Sequence, residues 1–231
     1  MPNAVPNAST GPTASTLSNV VPFSQALRAR IGGSGGDDEV SAFMTALMTG
    51  SGSRDDYVAM IAQHYFVYEA LEAVAESMVG DPVAAPFISP KLTRLPAIAE
   101  DLRFLVGEDW RSRISPLPST AAYVERIRTV ASGWSGGFVA HHYTRYLGDL
   151  SGCSIVRTLL QRRFGFETNG VGFYLYGEIA TPSAFRAVYR EQLDAAGWDD
   201  DERDRVIAEV AEAYRLTTAL FRDLARSRAA A

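Results

Sequence analysis

The stretch from Tyr143 to Cys153 places Gly148, Asp149 and Gly152 inside a segment whose apolar residues otherwise keep a helical period. Each glycine in a helix interior costs about 1 kcal/mol relative to alanine and invites a kink. A helix that keeps two of them is shaped by something other than its own stability, and the simplest cause is close approach of another body to its backbone. Close helix packing would account for the glycines taken singly, and a surface bend for the carboxylate. The three together point to a flat ligand lying against the helix.

The remainder of the chain reads as all-α. Its 231 residues, 47% of them hydrophobic, suffice for one sizeable core and a single domain. Residues 1–22 are rich in Pro, Ser, Thr, Asn and Ala and carry no charged side chain. Such a segment buries too little apolar surface to offset its ordering entropy, so a disordered tail is expected there, with the helical domain occupying 23–231. A short helical pattern runs over 23–30, the run from Gly32 to Gly36 breaks it, and Asp37 or Asp38 caps a helix reaching Met48. Ser53 caps a long helix, with Asp55 and Asp56 in its first turn and apolar residues from Val58 to Val74, which stops at Gly80, Asp81 and Pro82. Further helices are expected near 95–106, 119–131, 136–164, 182–195 and 200–227, and a short extended piece at 171–176. No fixed-period repeat is present.

A net charge of −5 and a pI near 5.3 exclude a general nucleic-acid binder, which needs a basic face to neutralise phosphates. One cysteine makes neither an internal disulfide nor a thiolate metal cluster, so a reducing, cytoplasmic setting is expected. The sequence has no run long and apolar enough for a membrane span and no signal-peptide pattern at its start, and no membrane partner is expected.

The segment Leu147, Gly148, Asp149, Leu150, Ser151, Gly152 resembles the distal helix of the heme oxygenases, in which an aromatic and arginine-rich turn precedes Leu-Gly-Asp-Leu-Ser-Gly-Gly. The match runs unbroken until Cys153 replaces the last glycine. Residues 140–143 upstream, 185–190 downstream and Glu100 to Leu102 fall in family order, so the resemblance covers roughly 23–226. It implies a helical fold with heme, both substrate and cofactor, between a proximal and a kinked distal helix. The implied reaction cleaves heme with O2 and electrons to biliverdin, CO and ferrous iron, fed by an external electron donor such as a ferredoxin or a flavoprotein reductase.

Carried over by motif, Gly148 and Gly152 would line the oxygen side. Asp149 would hold an ordered water network that delivers protons there, and Arg145 would organise that network. Arg186 and Arg190, four apart on one helical face, would join Arg28 and Tyr143 in clamping the heme propionates through charge-assisted hydrogen bonds. Glu39 matches a family glutamate beside the heme.

The position of the proximal histidine is held by Gly35, which has no side chain to ligate iron, in a run whose four glycines in five residues oppose helix formation. His64 sits in the long helix capped by Ser53, among aromatic residues, and reads as a core histidine rather than a ligand. His141 and His142 precede the motif by about two turns, one of them near the pocket edge. Cys153 is a candidate thiolate ligand, although a buried apolar cysteine is the commoner role. Two readings follow: an oxygenase with unconventional ligation, or a non-catalytic heme- or tetrapyrrole-binding protein of the same fold.

Overall fold

The computed structural model describes residues 21–31 and 38–229, with side chains from residue 42 onward in the second segment. The expected tail therefore lies outside the described residues except for Val21 and Pro22, as do Gly35, Asp37 and the side chain of Glu39. The helices are α1 (Phe23–Ile31), α2 (Asp38–Thr49), α3 (Arg54–Met78), α4 (Leu95–Val106), the single turn α5 (Trp110–Arg113), α6 (Pro118–Arg126), α7 (Ser135–His142), α8 (Gly148–Phe164), α9 (Pro182–Ala195) and α10 (Asp200–Ala229). No strand occurs among the described residues, and none of their helices is long and apolar enough to cross a membrane.

The start of α3 follows its sequence closely. Ser53 Oγ accepts from the Asp56 amide at 3.0 Å while the Asp56 carboxylate accepts from the Ser53 amide at 2.7 Å. Such a reciprocal capping box contributes about 1 kcal/mol. Beyond it, Tyr57, Met60, Ile61, His64, Tyr68 and Leu71 are all buried. The helix packs against α4, α6, α7 and α10. On the far side of the core α10 lies against α1, α2, α6 and α7. The α8 helix touches α2, α9 and the turn at 172–174, which leaves α2, α3, α8 and α10 around one interior space.

Two joints use side chains far away in sequence. Glu72 of α3 accepts the Arg94 and Leu95 amides at 2.6 and 3.1 Å, so the N-terminus of α4 is capped by a carboxylate from another helix. Asp101, buried in α4, accepts the Gly172 and Phe173 amides at 2.9 and 2.7 Å. Burial raises its carboxyl to about 6 against the opposing pull of those amides. This anchoring explains a departure from the expected extended piece at 171–176: Gly172–Tyr174 is a single 3-10 turn, wound around an acceptor that local sequence does not reveal.

The segment 135–164 is continuous but not uniformly α-helical. A π-helical turn, Tyr143–Leu147, joins α7 to α8. Gly148 itself has ordinary helical angles, φ −59° and ψ −55°. The irregularity of this segment thus resides in the π turn, a feature common at functional sites, rather than in glycine backbone freedom. Gly165, with φ +72°, closes α8 in the left-handed conformation that favours glycine.

Candidate functional site

A cavity of about 240 Å³ opens where α2, α3, α8 and α10 meet. Met44 comes from α2, Met60 and His64 from α3, Thr144 and Arg145 from the π turn, and Gly148, Asp149, Gly152, Cys153 and Val156 from α8. Phe173 and Tyr174 arrive on the 3-10 turn held by Asp101, and Tyr214, Thr217 and Phe221 from α10. The wall is mostly apolar, with a polar cluster at one end.

The two glycines of the motif border open space. A Cβ built on Gly148 would meet nothing within 4 Å, and one on Gly152 only Val156 Cγ2 at 4.0 Å. Glycines placed for packing look different: at Gly136 a Cβ would lie 2.6 Å from Glu202 Oε1 and 2.8 Å from Val206 Cγ2, and at Gly137 2.6 Å from Trp134 Cε3. Close helix packing therefore explains Gly136 and Gly137 but not Gly148 or Gly152, whose missing side chains leave room in the cavity.

The polar cluster centres on Asp149. The Tyr68 hydroxyl donates to Asp149 Oδ2, and Arg145 Nη2 stands 3.8 Å from the same oxygen. The guanidinium also lies over the Tyr68 ring at 5.3 Å. Burial raises the Asp149 carboxyl above its ordinary range, while Arg145 and the Tyr68 hydrogen bond pull it back. For Arg145, burial alone would weaken the charge, but Asp149, Tyr68 and Tyr123 outweigh it and hold the guanidinium firmly protonated. Its Nε and Nη2 are buried without a hydrogen-bond partner in the protein. Donors left in that condition carry a desolvation cost that a bound group or water relieves.

None of the expected rim residues Arg28, Tyr143, Arg186 and Arg190 is among those that line the cavity. Burial raises the Tyr143 phenol, and the charges of Arg190 and Arg28 oppose that rise. Arg28 is exposed and Arg190 half-buried. Arg186 leans over α8, with Nη1 3.5 Å from the Leu150 carbonyl and Nε buried without a partner. Cys153 is buried at the cavity wall, its sulfur 3.9 Å from the Leu150 carbonyl.

The histidines divide in a way the sequence did not indicate. Neither His141 nor His142 lines the cavity, so the position near its edge is not taken by either. His141 Nε2 bonds Glu209 Oε1 at 3.0 Å, and Arg126 forks onto the same carboxylate at 2.9 and 2.6 Å. His142 Nδ1 meets the Tyr189 hydroxyl at 2.9 Å, and burial lowers its imidazole to about 3. His64 is buried as a core residue, yet it also lines the cavity. Tyr68, the partner of Asp149, counted in the sequence only as an apolar position of α3. Its spacing of four from His64 was the available signal that both point the same way. Among the described residues no three His, Cys, Asp or Glu side chains are grouped to hold a metal ion.

The family model described as heme oxygenase matches residues 21–223. Heme oxygenase 1 of Synechocystis sp. is 30% identical over 182 residues, 79% of this chain and 76% of the relative. Heme oxygenase 1 of Rattus norvegicus is 33% identical over 189 residues, 80% of this chain and 65% of the relative. The crystal structure of heme oxygenase-1 from Synechocystis sp. in complex with heme superposes with a TM-score of 0.82 at 29% identity, covering 88% of this chain and 92% of that one. The chain belongs to the heme oxygenase family.

Proposed function

We propose that the cavity between α2 and α8 binds heme and that the protein cleaves it with O2 and electrons to biliverdin, CO and ferrous iron. The observation that carries this reading is the pairing of two glycines that face open space with the cluster of buried Tyr68 and Arg145 and half-buried Asp149 beside them. The residues present suit the ligand. The apolar wall of Met44, Met60, Val156, Phe173 and Phe221 accommodates a porphyrin face, and Gly148 and Gly152 keep the α8 backbone within reach of it.

Bound heme supplies the oxygen-activating iron and, at its own edge, the carbon that is attacked. The protein binds, orients and moves protons. Arg28, Tyr143, Arg186 and Arg190 hold the propionates by charge-assisted hydrogen bonds and so fix the rotation of the ring. Asp149, its carboxyl raised by burial and kept in place by the Tyr68 hydroxyl, accepts and returns a proton at Oδ through water at the oxygen side. Arg145 keeps that carboxylate oriented and lends its unpaired N–H groups to the same water. Gly35, at the position the resemblance gives to the family's histidine, has no side chain to offer iron, and Cys153 at the cavity wall would be the candidate ligand, with Glu39 carried over by motif alone. Electrons come from an external donor of the ferredoxin or flavoprotein-reductase kind.

Absorbance titration of the full chain with ferric heme, followed by ascorbate or a reductase in air with catalase present, tests the reading. Decay of the Soret band with biliverdin appearing is the expected result. A stable bound spectrum would mark a binding protein without turnover, and no Soret shift would remove heme as the ligand.

A further inference from the structure

His64 is the imidazole that the cavity wall presents, and no side chain is seen to bond its Nδ1 among the described residues. It is 5% exposed, and its buried Nδ1 makes no hydrogen bond of full geometry, the Met60 carbonyl one turn back offering it a weak acceptor only. The edges of Phe173 and Phe221 hold the ring in place, with centroids at 5.2 and 6.3 Å and near-perpendicular planes. It stands four residues before Tyr68, whose hydroxyl bonds Asp149, so both side chains leave α3 on one face, and His64 and Asp149 both line the cavity. Burial first, and the neighbouring Arg145 charge second, hold its pKa well below the ordinary value, with the Met60 carbonyl opposing. The ring is therefore neutral, with one N–H to donate and one lone pair to accept. A leucine would pack at this apolar wall without the cost of a buried unpaired nitrogen. The imidazole is explained if its partner arrives with the substrate.

We propose that His64 is a positioning residue of the oxygen side, hydrogen-bonding the water or small anion held between heme, Asp149 and Arg145. This rests on the heme reading above. It adds to the Tyr68–Asp149–Arg145 cluster a neutral group that switches between donor and acceptor, which a carboxylate and a guanidinium cannot do.

The test uses the full chain loaded with ferric heme and titrated with fluoride by absorbance, in the wild type, His64→Leu and His64→Gln. Fluoride affinity falls about tenfold in His64→Leu with a displaced charge-transfer band, and His64→Gln, which keeps a donor, recovers most of both. Heme affinity stays within about twofold, and ligand-free His64→Leu melts at a higher temperature than the wild type. Should the leucine variant not accumulate as folded protein, His64→Met serves in its place. Equal fluoride affinity and an unmoved band in heme-loaded variants overturn the role of His64 alone. Absence of a Soret band in every protein overturns the heme reading, and this inference with it.

Discussion

At the scale of single residues, Gly148 and Gly136 make opposite demands. An alanine methyl at Gly148 enters open space, so Gly148→Ala gains helix propensity, raising stability by up to about 1 kcal/mol. It also places a methyl in the substrate cavity, so heme affinity or turnover falls while the urea midpoint rises. Gly136→Ala reverses the sign, because its Cβ would lie 2.6 Å from Glu202 Oε1 and 2.8 Å from Trp134 Nε1, and the midpoint drops. If both alanines destabilise alike, Gly148 is a packing glycine and the site loses its main support. Asp149→Asn tests the chemistry separately. The amide keeps the shape and a hydrogen bond to Tyr68 but does not carry a proton, so biliverdin formation falls by at least tenfold with heme affinity nearly unchanged. A variant that binds heme equally and turns over normally would remove Asp149 from the proton route.

At the scale of elements, α6, α7 and α10 are joined by Glu209, which takes His141 at 3.0 Å and Arg126 at 2.9 and 2.6 Å. Burial would raise its carboxyl, but those two hydrogen bonds outweigh burial and bring it down to about 2. A carboxyl whose folded pKa is depressed stabilises above its ordinary pKa, near 4.5, and loses that contribution as pH falls through about 2. The shift corresponds to about 3 kcal/mol. Urea unfolding of the wild type and Glu209→Gln should differ by roughly that amount at pH 7, and the gap should close progressively below pH 4.5. A gap that is constant with pH assigns the effect to packing instead. Such joints also mark what the sequence hides. Ser53 with Asp56, and the Gly165 terminus, are legible because a cap is local. The turn at Gly172–Tyr174 is not, since its acceptor Asp101 lies 71 residues away. His64 and Tyr68 merge into an α3 buried around most of its circumference, where apolar period alone no longer distinguishes a core face from a cavity wall.

At the scale of the whole molecule, the fold and the proposed oxygen side were legible because one continuous segment, 143–153, carries the motif for both, whereas the position of the family's histidine falls on Gly35, outside the described residues. The chain has three histidines. His141 and His142 are committed to Glu209 and Tyr189, and His64 lines the cavity together with Asp149. With Gly35 at the place of the family's histidine, a heme bound between α2 and α8 would be held chiefly by its propionates and its apolar faces. Heme affinity should therefore be modest, and free imidazole should act as a diffusible replacement for the missing side chain. Adding imidazole to the heme-loaded protein should shift the Soret band and raise the rate of biliverdin formation several-fold, while Gly35→His should bind heme at least tenfold more tightly and show no response to imidazole. Both effects follow from one cause, so they stand together: a wild-type spectrum and rate indifferent to imidazole would mean that this chain supplies its own axial donor, and Cys153→Ala would then be the variant in which the spectrum changes.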